Sequence, residues 1–408
     1  MMWNIYGKVY DLTEFKQYHP GGSLILDSVK GDRDATAAFE SYHAMGDIDN
    51  IKIIMEKYRI KKDSIEDFQF NNKQFYYVLK SRVRKYFRNN NIHHRANKLW
   101  LYKTLVQLFI YISCLFKACC FKELSTSYRI LLNIIAGHMF IQLGFCVMHD
   151  ASHGAISKSS KTNELLSKIW NSLSMWDNQL WLKHHCYRHH SYTGSIHDPD
   201  TIHLKPFIRK STNEDKSKYW DYSHIRTLLT TCIFPGMWLG QSLVYIRTLN
   251  VKYFWRMKIT MYKKSTFETC LKLLIPMLLL YSNNFIVAFS YIVSCNITYF
   301  MCIIPDHDQY DTHQNIKHNY KDNDWGEIQV RNSGNFATNN PFIYLLFGGI
   351  NYQIEHHLFP SISHVHLPGI SKIVKKTCKE FNIPYVENNS IYSAVKSSLK
   401  NFYLISQI

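Results

Sequence analysis

The stretch Ile130-Leu131-Leu132-Asn133-Ile134-Ile135-Ala136-Gly137-His138-Met139-Phe140-Ile141-Gln142-Leu143-Gly144-Phe145-Cys146-Val147-Met148 has no charged side chain. It runs without a break into His149-Asp150-Ala151-Ser152-His153. A run of this length can cross a bilayer as a helix. The two histidines, spaced i and i+4, then share one face at its polar mouth. Upstream, Leu99 to Phe116 reads as a partner span, joined by a loop holding Lys117, Lys122 and Arg129. Further on, Thr266 to Ser282 and Phe285 to Ile304 flank the polar turn Asn283-Asn284 and predict a second helical hairpin. Between the hairpins, Leu228 to Ile246 is apolar but interrupted by Pro235, Gly236 and Gly240. If it spanned, Arg247 to Lys264, with six basic and no acidic residues, would face the wrong side for the positive-inside rule. We therefore read it as an amphipathic segment lying in the cytosolic interface, leaving four spans.

The 408 residues are 46% hydrophobic and 15% aromatic, which excludes a disordered chain. A formal charge of +17 calls for an anionic partner, and the basic residues cluster beside apolar runs, so a membrane surface is favoured and nucleic acid is not expected. Ten cysteines scattered through apolar stretches read as reduced, buried thiols. No cleavable signal is read before the first folded segment.

Residues 1–60 hold seven basic and nine acidic side chains, a separate acidic unit within a basic chain. Ile5 to Leu12 reads as a hairpin turning at Gly7, followed by a brief helix around Thr13 to Tyr18. His19-Pro20-Gly21-Gly22 then stiffens the chain after a histidine and lets the backbone pass close to a bulky group. With His43 further along, two neutral imidazoles could ligate a heme iron from both faces, a closed site suited to electron transfer. Residues 61–98, with Lys61, Lys62, Arg82, Arg84, Lys85 and Arg88, read as a polar cytosolic connector with some helix.

Twenty-one histidines make a single HxxxH pair uninformative, but three ordered clusters are another matter. His149 and His153 form the first, His185, His189 and His190 the second, and Gln353, His356 and His357 the third. Helical spacing puts the members of each cluster on one face. So many nitrogen donors exceed the need of one zinc and argue for a dinuclear site.

Gly7-Lys8-Val9-Tyr10-Asp11, Phe15, His19-Pro20-Gly21-Gly22 and Ala35-Thr36-Ala37-Ala38-Phe39 before His43 resemble the cytochrome b5 family over residues 2–62. That resemblance makes His19 and His43 the axial ligands of heme b. The chain as read opens at Met1-Met2-Trp3 without the leading strand and helix usual there, which predicts weaker heme affinity or domain stability. Met148 to Gly154, His185 through Tyr192-Thr193 to Asp198-Pro199-Asp200, and Asn351 to Pro360 resemble front-end fatty acyl desaturases with a fused cytochrome b5-like domain. The resemblance implies a small α+β heme domain (1–62), a connector (63–98), an all-α polytopic membrane domain (99–375) with four helices in two hairpins under a cytosolic histidine cap, and a tail (376–408) without a readable motif. It implies two non-heme irons held by His149, His153, His185, His189, His190, Gln353, His356 and His357, with Asp198 and Asp200 orienting imidazoles and Asp150 and Glu355 supporting or solvated. Electrons would come from NADH through cytochrome b5 reductase, and the substrate would be a fatty acyl lipid or acyl-CoA at the endoplasmic reticulum membrane. A mild leaning of the second cluster toward Δ5 and Δ4 enzymes over Δ6 leaves a sphingoid-base Δ8 desaturase and a membrane hydroxylase as alternatives. His307 completes the set: seven histidines and one glutamine are few for two irons, and Ile304-Pro305-Asp306-His307 ends the fourth span beside the clusters. His313 and His318 are expected in a polar loop facing solvent.

Overall fold

The computed structural model describes residues 2–71, 74–201, 210, 253–254, 257–258, 265–314 and 323–408. The expected interfacial segment 228–246 and His318 lie outside them. Of residues 247–264 only the short paired strands Tyr253–Phe254 and Met257–Lys258 are described.

Strands β1 (Trp3–Ile5) and β2 (Lys8–Tyr10) form the expected hairpin, turning through Tyr6 and Gly7, both at positive φ. Such a two-residue turn matches the right-handed strand twist. β3 (Arg59–Asp63) adds to β2, giving an antiparallel sheet in the order β1-β2-β3. The expected brief helix is one 3-10 turn, Phe15–Tyr18. Helices α1 (Ser23–Val29), α2 (Thr36–Tyr42) and α3 (Ile48–Glu56) cover the sheet, α3 starting where the Asp47 carboxylate accepts from the Asn50 amide. Trp3 is fully buried and its indole donates to the Leu26 carbonyl at 2.8 Å. The small core of Trp3, Ile5, Tyr10, Leu12, Phe39, Ile48 and Met55 also takes in Tyr187, from the second histidine cluster.

The connector is more than a polar tether. Helix α4 (Phe75–Asn89) buries Phe75, Tyr76, Leu79, Val83 and Phe87, an apolar stripe at helical spacing beneath its arginines. That stripe packs in one core with Trp325, Leu358, Phe359, Leu367 and Ile370.

Helix α5 (Lys98–Cys120) is capped by the Asn97 side chain, and α6 (Thr126–Leu143) by Ser125. Three stretches among the described residues are long and apolar enough to cross a membrane: Lys98–Cys120, Thr126–Ser152 and Phe285–Thr312. Large apolar side chains such as Phe109, Leu280 and Phe285 point outward, as lipid-facing residues do. Of the second hairpin, α9 (Thr266–Tyr281) has 16 residues and an internal Pro276. At about 1.5 Å per residue it reaches roughly 24 Å, short of the hydrocarbon core. Its Lys272 is drawn aside, donating to the Trp176 carbonyl at 2.6 Å. Helix α10 (Phe285–His307) starts at Asn284, whose side chain accepts from the amides of Ile286 and Val287. α6 and α10 touch at Gly137, where a Cβ would stand 2.7 Å from the Tyr291 carbonyl oxygen, so only glycine permits the approach. His313 falls in the short helix Tyr310–Gln314 rather than in a loop.

The tail also folds inward. Helix α14 (Ile391–Gln407) opens on a Ser390–Ser393 capping box and buries Phe402 against Phe300 and Ile304 of α10.

Candidate metal centre

The backbone at two of the three clusters departs from α-helix. α6 widens into a π-helical turn over Gly144–His149 before closing as Asp150–Ser152, and the second cluster lies on a π-helical segment, Leu182–His189. An Asp177 cap starts the short helix Asn178–Trp181 that leads into the latter. π-turns are rare and concentrate at functional sites. Their i to i+5 spacing brings His185 and His190 to one side, with Nε2 atoms 3.4 Å apart.

All nine donors expected from the sequence meet, but not cluster by cluster. His149, His153, His185, His190 and His356 form one group, and His189, His307 and His357 another, each able to hold a metal ion. The second and third clusters are therefore divided between the groups, contrary to the single shared faces the sequence predicts. The π-turn pairs His185 with His190 and leaves His189 to meet His307, and adjacent residues His356 and His357 point apart around α12 (Gln353–Leu358). In the first group the Nε2 atoms of His149 and His185 lie 2.9 Å apart, and those of His190 and His356 lie 3.1 Å apart. In the second, His189 Nε2 is 3.2 Å from His307 Nε2, with the Gln353 amide 3.0 Å from the same atom. Trp181 stacks on His185 at 4.3 Å as a wall.

The opposite ring nitrogens are tied. His307 Nδ1 donates to the Asn332 carbonyl at 2.8 Å, and His189 Nδ1 faces Asp198 Oδ1 at 3.1 Å. His357 Nδ1 lies 3.0 Å from Gln329 Oε1, while His153 Nδ1 meets the Tyr42 hydroxyl at 2.6 Å. Such bonds fix which nitrogen keeps its lone pair. Burial alone would lower His189, but the carboxylates of Asp198 and Asp200 hold it up at about 9. His189, Asp198 and Asp200 form a third potential metal-binding group.

Asp150 and Glu355, read as supporting or solvated, are buried braces. Asp150 Oδ2 accepts from Ser363 and His364, each at 2.8 Å. Glu355 takes hydrogen bonds from Asn335 and Tyr385, and burial pushes its carboxyl up to about 7. Gln329 and Asn332, on and just after α11 (Trp325–Arg331), and Tyr42 have no motif that would have marked them.

In the N-terminal domain, the His19 and His43 rings face each other with centroids 6.2 Å apart. His19 Nδ1 is 3.2 Å from the Gly22 carbonyl and His43 Nδ1 is 2.8 Å from that of Phe39, so both rings present Nε2 inward. Burial lowers His19 to about 4, keeping its imidazole neutral. A Cβ on Gly21 would lie 2.8 Å from His19 Cε1, which explains the glycine after His-Pro.

Residues 125–389 match the family described as fatty acid desaturase, and residues 2–64 match the cytochrome b5-like heme/steroid binding domain. The chain is 28% identical to the acyl-lipid (8-3)-desaturase of Physcomitrium patens over 96% of its length and 85% of that protein's. It is 27% identical to the probable Delta(5) fatty acid desaturase C of Dictyostelium discoideum, over 98% and 90% of the two chains. An sn-1 linoleoyl-lipid 6-desaturase of Synechocystis is 26% identical over 83% of this chain and 96% of its own.

Proposed function

Because the chain belongs to the fatty acid desaturase family and carries a cytochrome b5-like domain, we propose that it introduces a front-end double bond into a polyunsaturated fatty acyl chain, of Δ5 or Δ4 type rather than Δ6. The two convergent histidine groups at the ends of apolar helices carry this reading.

The residues present fit the groups the family implies. In the cap, His357 Nε2, His190 Nδ1 and Gln353 Oε1 are buried without hydrogen-bond partners among the described residues. Lone-pair nitrogens packed this closely repel one another unless a cation sits among them. His149, His153, His185, His190 and His356 would hold one iron, and His189, His307, His357 and Gln353 the other. When bound, the two irons supply the O2-derived oxidant that can remove two hydrogens from an unactivated methylene pair. His19 and His43 would hold heme b between them, and their separation accommodates two bonds of about 2 Å to one metal ion.

The chain's own part is positioning. Asp198, Asn332 and Gln329 hold the Nδ1 sides of His189, His307 and His357 and so turn each Nε2 toward the group, and the Trp181 ring shields His185. Asp150 pins the first cluster to Ser363 and His364. NADH, through cytochrome b5 reductase, would reduce the heme.

We place α5, α6, α9 and α10 as four spans of the endoplasmic reticulum membrane, with both histidine groups and the N-terminal domain cytosolic. The shorter α9 would need local thinning of the bilayer.

A host lacking such acids, expressing the chain and fed C18, C20 and C22 polyunsaturated substrates, tests the reading by gas chromatography of its lipids. A new front-end double bond at position 5 or 4 is expected. A hydroxylated product, an altered sphingoid base or no product would overturn it.

A further inference from the structure

Helix α2 ends at Tyr42, one residue before His43, and leaves the N-terminal domain pointing into the cap. The Tyr42 hydroxyl is 3.1 Å from the Cys186 carbonyl oxygen and 2.6 Å from His153 Nδ1, and its ring stacks on His153 with centroids 5.9 Å apart. A carbonyl only accepts, so both contacts are hydrogen bonds only when the one phenolic proton goes to Cys186. The phenolic oxygen must then accept from His153, which places the imidazole proton on Nδ1 and leaves the lone pair on Nε2. The opposite arrangement would protonate Nε2 and remove His153 as a donor. The Cys186 thiol, 4.0 Å from that Nε2, is too distant to compete.

We propose that Tyr42 is a positioning residue of the cap, supplied by the heme-binding domain: it sets the tautomer and orientation of His153, so the first histidine group is complete only while that domain is docked. The docking is built to persist. Arg188 and Lys183 both pair with Asp32, at 2.7 and 3.0 Å. Tyr187 donates to the Asp34 carbonyl at 3.0 Å, and the buried Lys80 pairs with Glu40. The first three come from the segment of the second histidine cluster and the last from α4, and together they hold α2 against the cap. Hydrogen bonds behind metal-ligating histidines tune affinity by about 10- to 100-fold.

The inference rests on His153 being an iron ligand, so the test separates the two. Full-length holoenzyme is purified as wild type, Tyr42→Phe and Tyr187→Phe, the last removing a docking hydrogen bond that touches no imidazole. The heme absorbance reports an intact N-terminal domain. Iron loss to a ferrous chelator, and the ligand-field spectrum with Co(II) in place of iron, report the cap. Tyr42→Phe should keep its heme, lose iron about tenfold faster than wild type and shift the cobalt bands. Tyr187→Phe should match wild type in both, because the ion pairs of Arg188, Lys183 and Lys80 still dock the domain. Wild-type iron retention and cobalt bands in Tyr42→Phe would overturn this inference alone, as would equal iron loss in Tyr187→Phe. A wild-type protein replete in heme but unable to bind iron would overturn the metal-site reading, and this inference with it.

Discussion

The histidine pair of the N-terminal domain and the histidine groups of the cap solve one problem at different sequence distances. Both free an Nε2 by tying down Nδ1. For His19 and His43 the ties are main-chain carbonyls three and four residues away. In the cap they come from Asp198, Asn332, Gln329 and Tyr42, at separations of 9, 25, 28 and 111 residues. A site braced locally survives as long as its turn folds. One braced at long range depends on the whole tertiary structure and should respond to changes far from any donor.

The largest effect that could break this contrast is loss of a cap donor. His356→Ala, removing the ring that meets His190 at 3.1 Å, should abolish desaturation and deplete iron while the heme absorbance stays intact. Lipid analysis, metal content and the visible spectrum of one preparation check it, and heme loss would show that the sites are not separable. The converse is His43→Ala, which should erase the heme band, keep cap iron and lower desaturation about a hundredfold even with free cytochrome b5, because a tethered donor acts at high effective concentration. Weaker still is Asp198→Asn, which leaves an amide facing His189 Nδ1 and should raise the iron dissociation constant by about tenfold in chelator competition. The smallest sharpens the local half of the contrast. Gly21→Ala, with its Cβ 2.8 Å from His19 Cε1, should cost about 1 kcal/mol of heme binding, measured by heme transfer to an apo-globin acceptor.

The same distinction governs what could be read in advance. The hairpin at Gly7, the His-Pro-Gly-Gly turn and His43 are legible because short-range rules set them. The nine cap residues that converge were also legible, each attached to a spaced cluster or to a helix end. Their division into two groups was not. An α-helical period puts His185 and His189 together, whereas the π-turn joins His185 to His190, and nothing in Leu182–His189 announces that turn. Arginines and lysines masked the buried stripe of α4, although Phe75, Leu79, Val83 and Phe87 sit four residues apart. The last helix escaped for a related reason: Ala394, Ser398, Phe402 and Ile405 form a face too mixed in polarity to stand out.

A growing polypeptide reaches the two histidine groups unequally. Four of the first group's five imidazoles, His149, His153, His185 and His190, have been synthesised before residue 191, and only His356 follows much later. The second group has His189 alone until His307, and then waits for Gln353 and His357. During translation one half is nearly complete while the other is a single side chain. Order of synthesis alone therefore makes the first group's side chains available long before the second's.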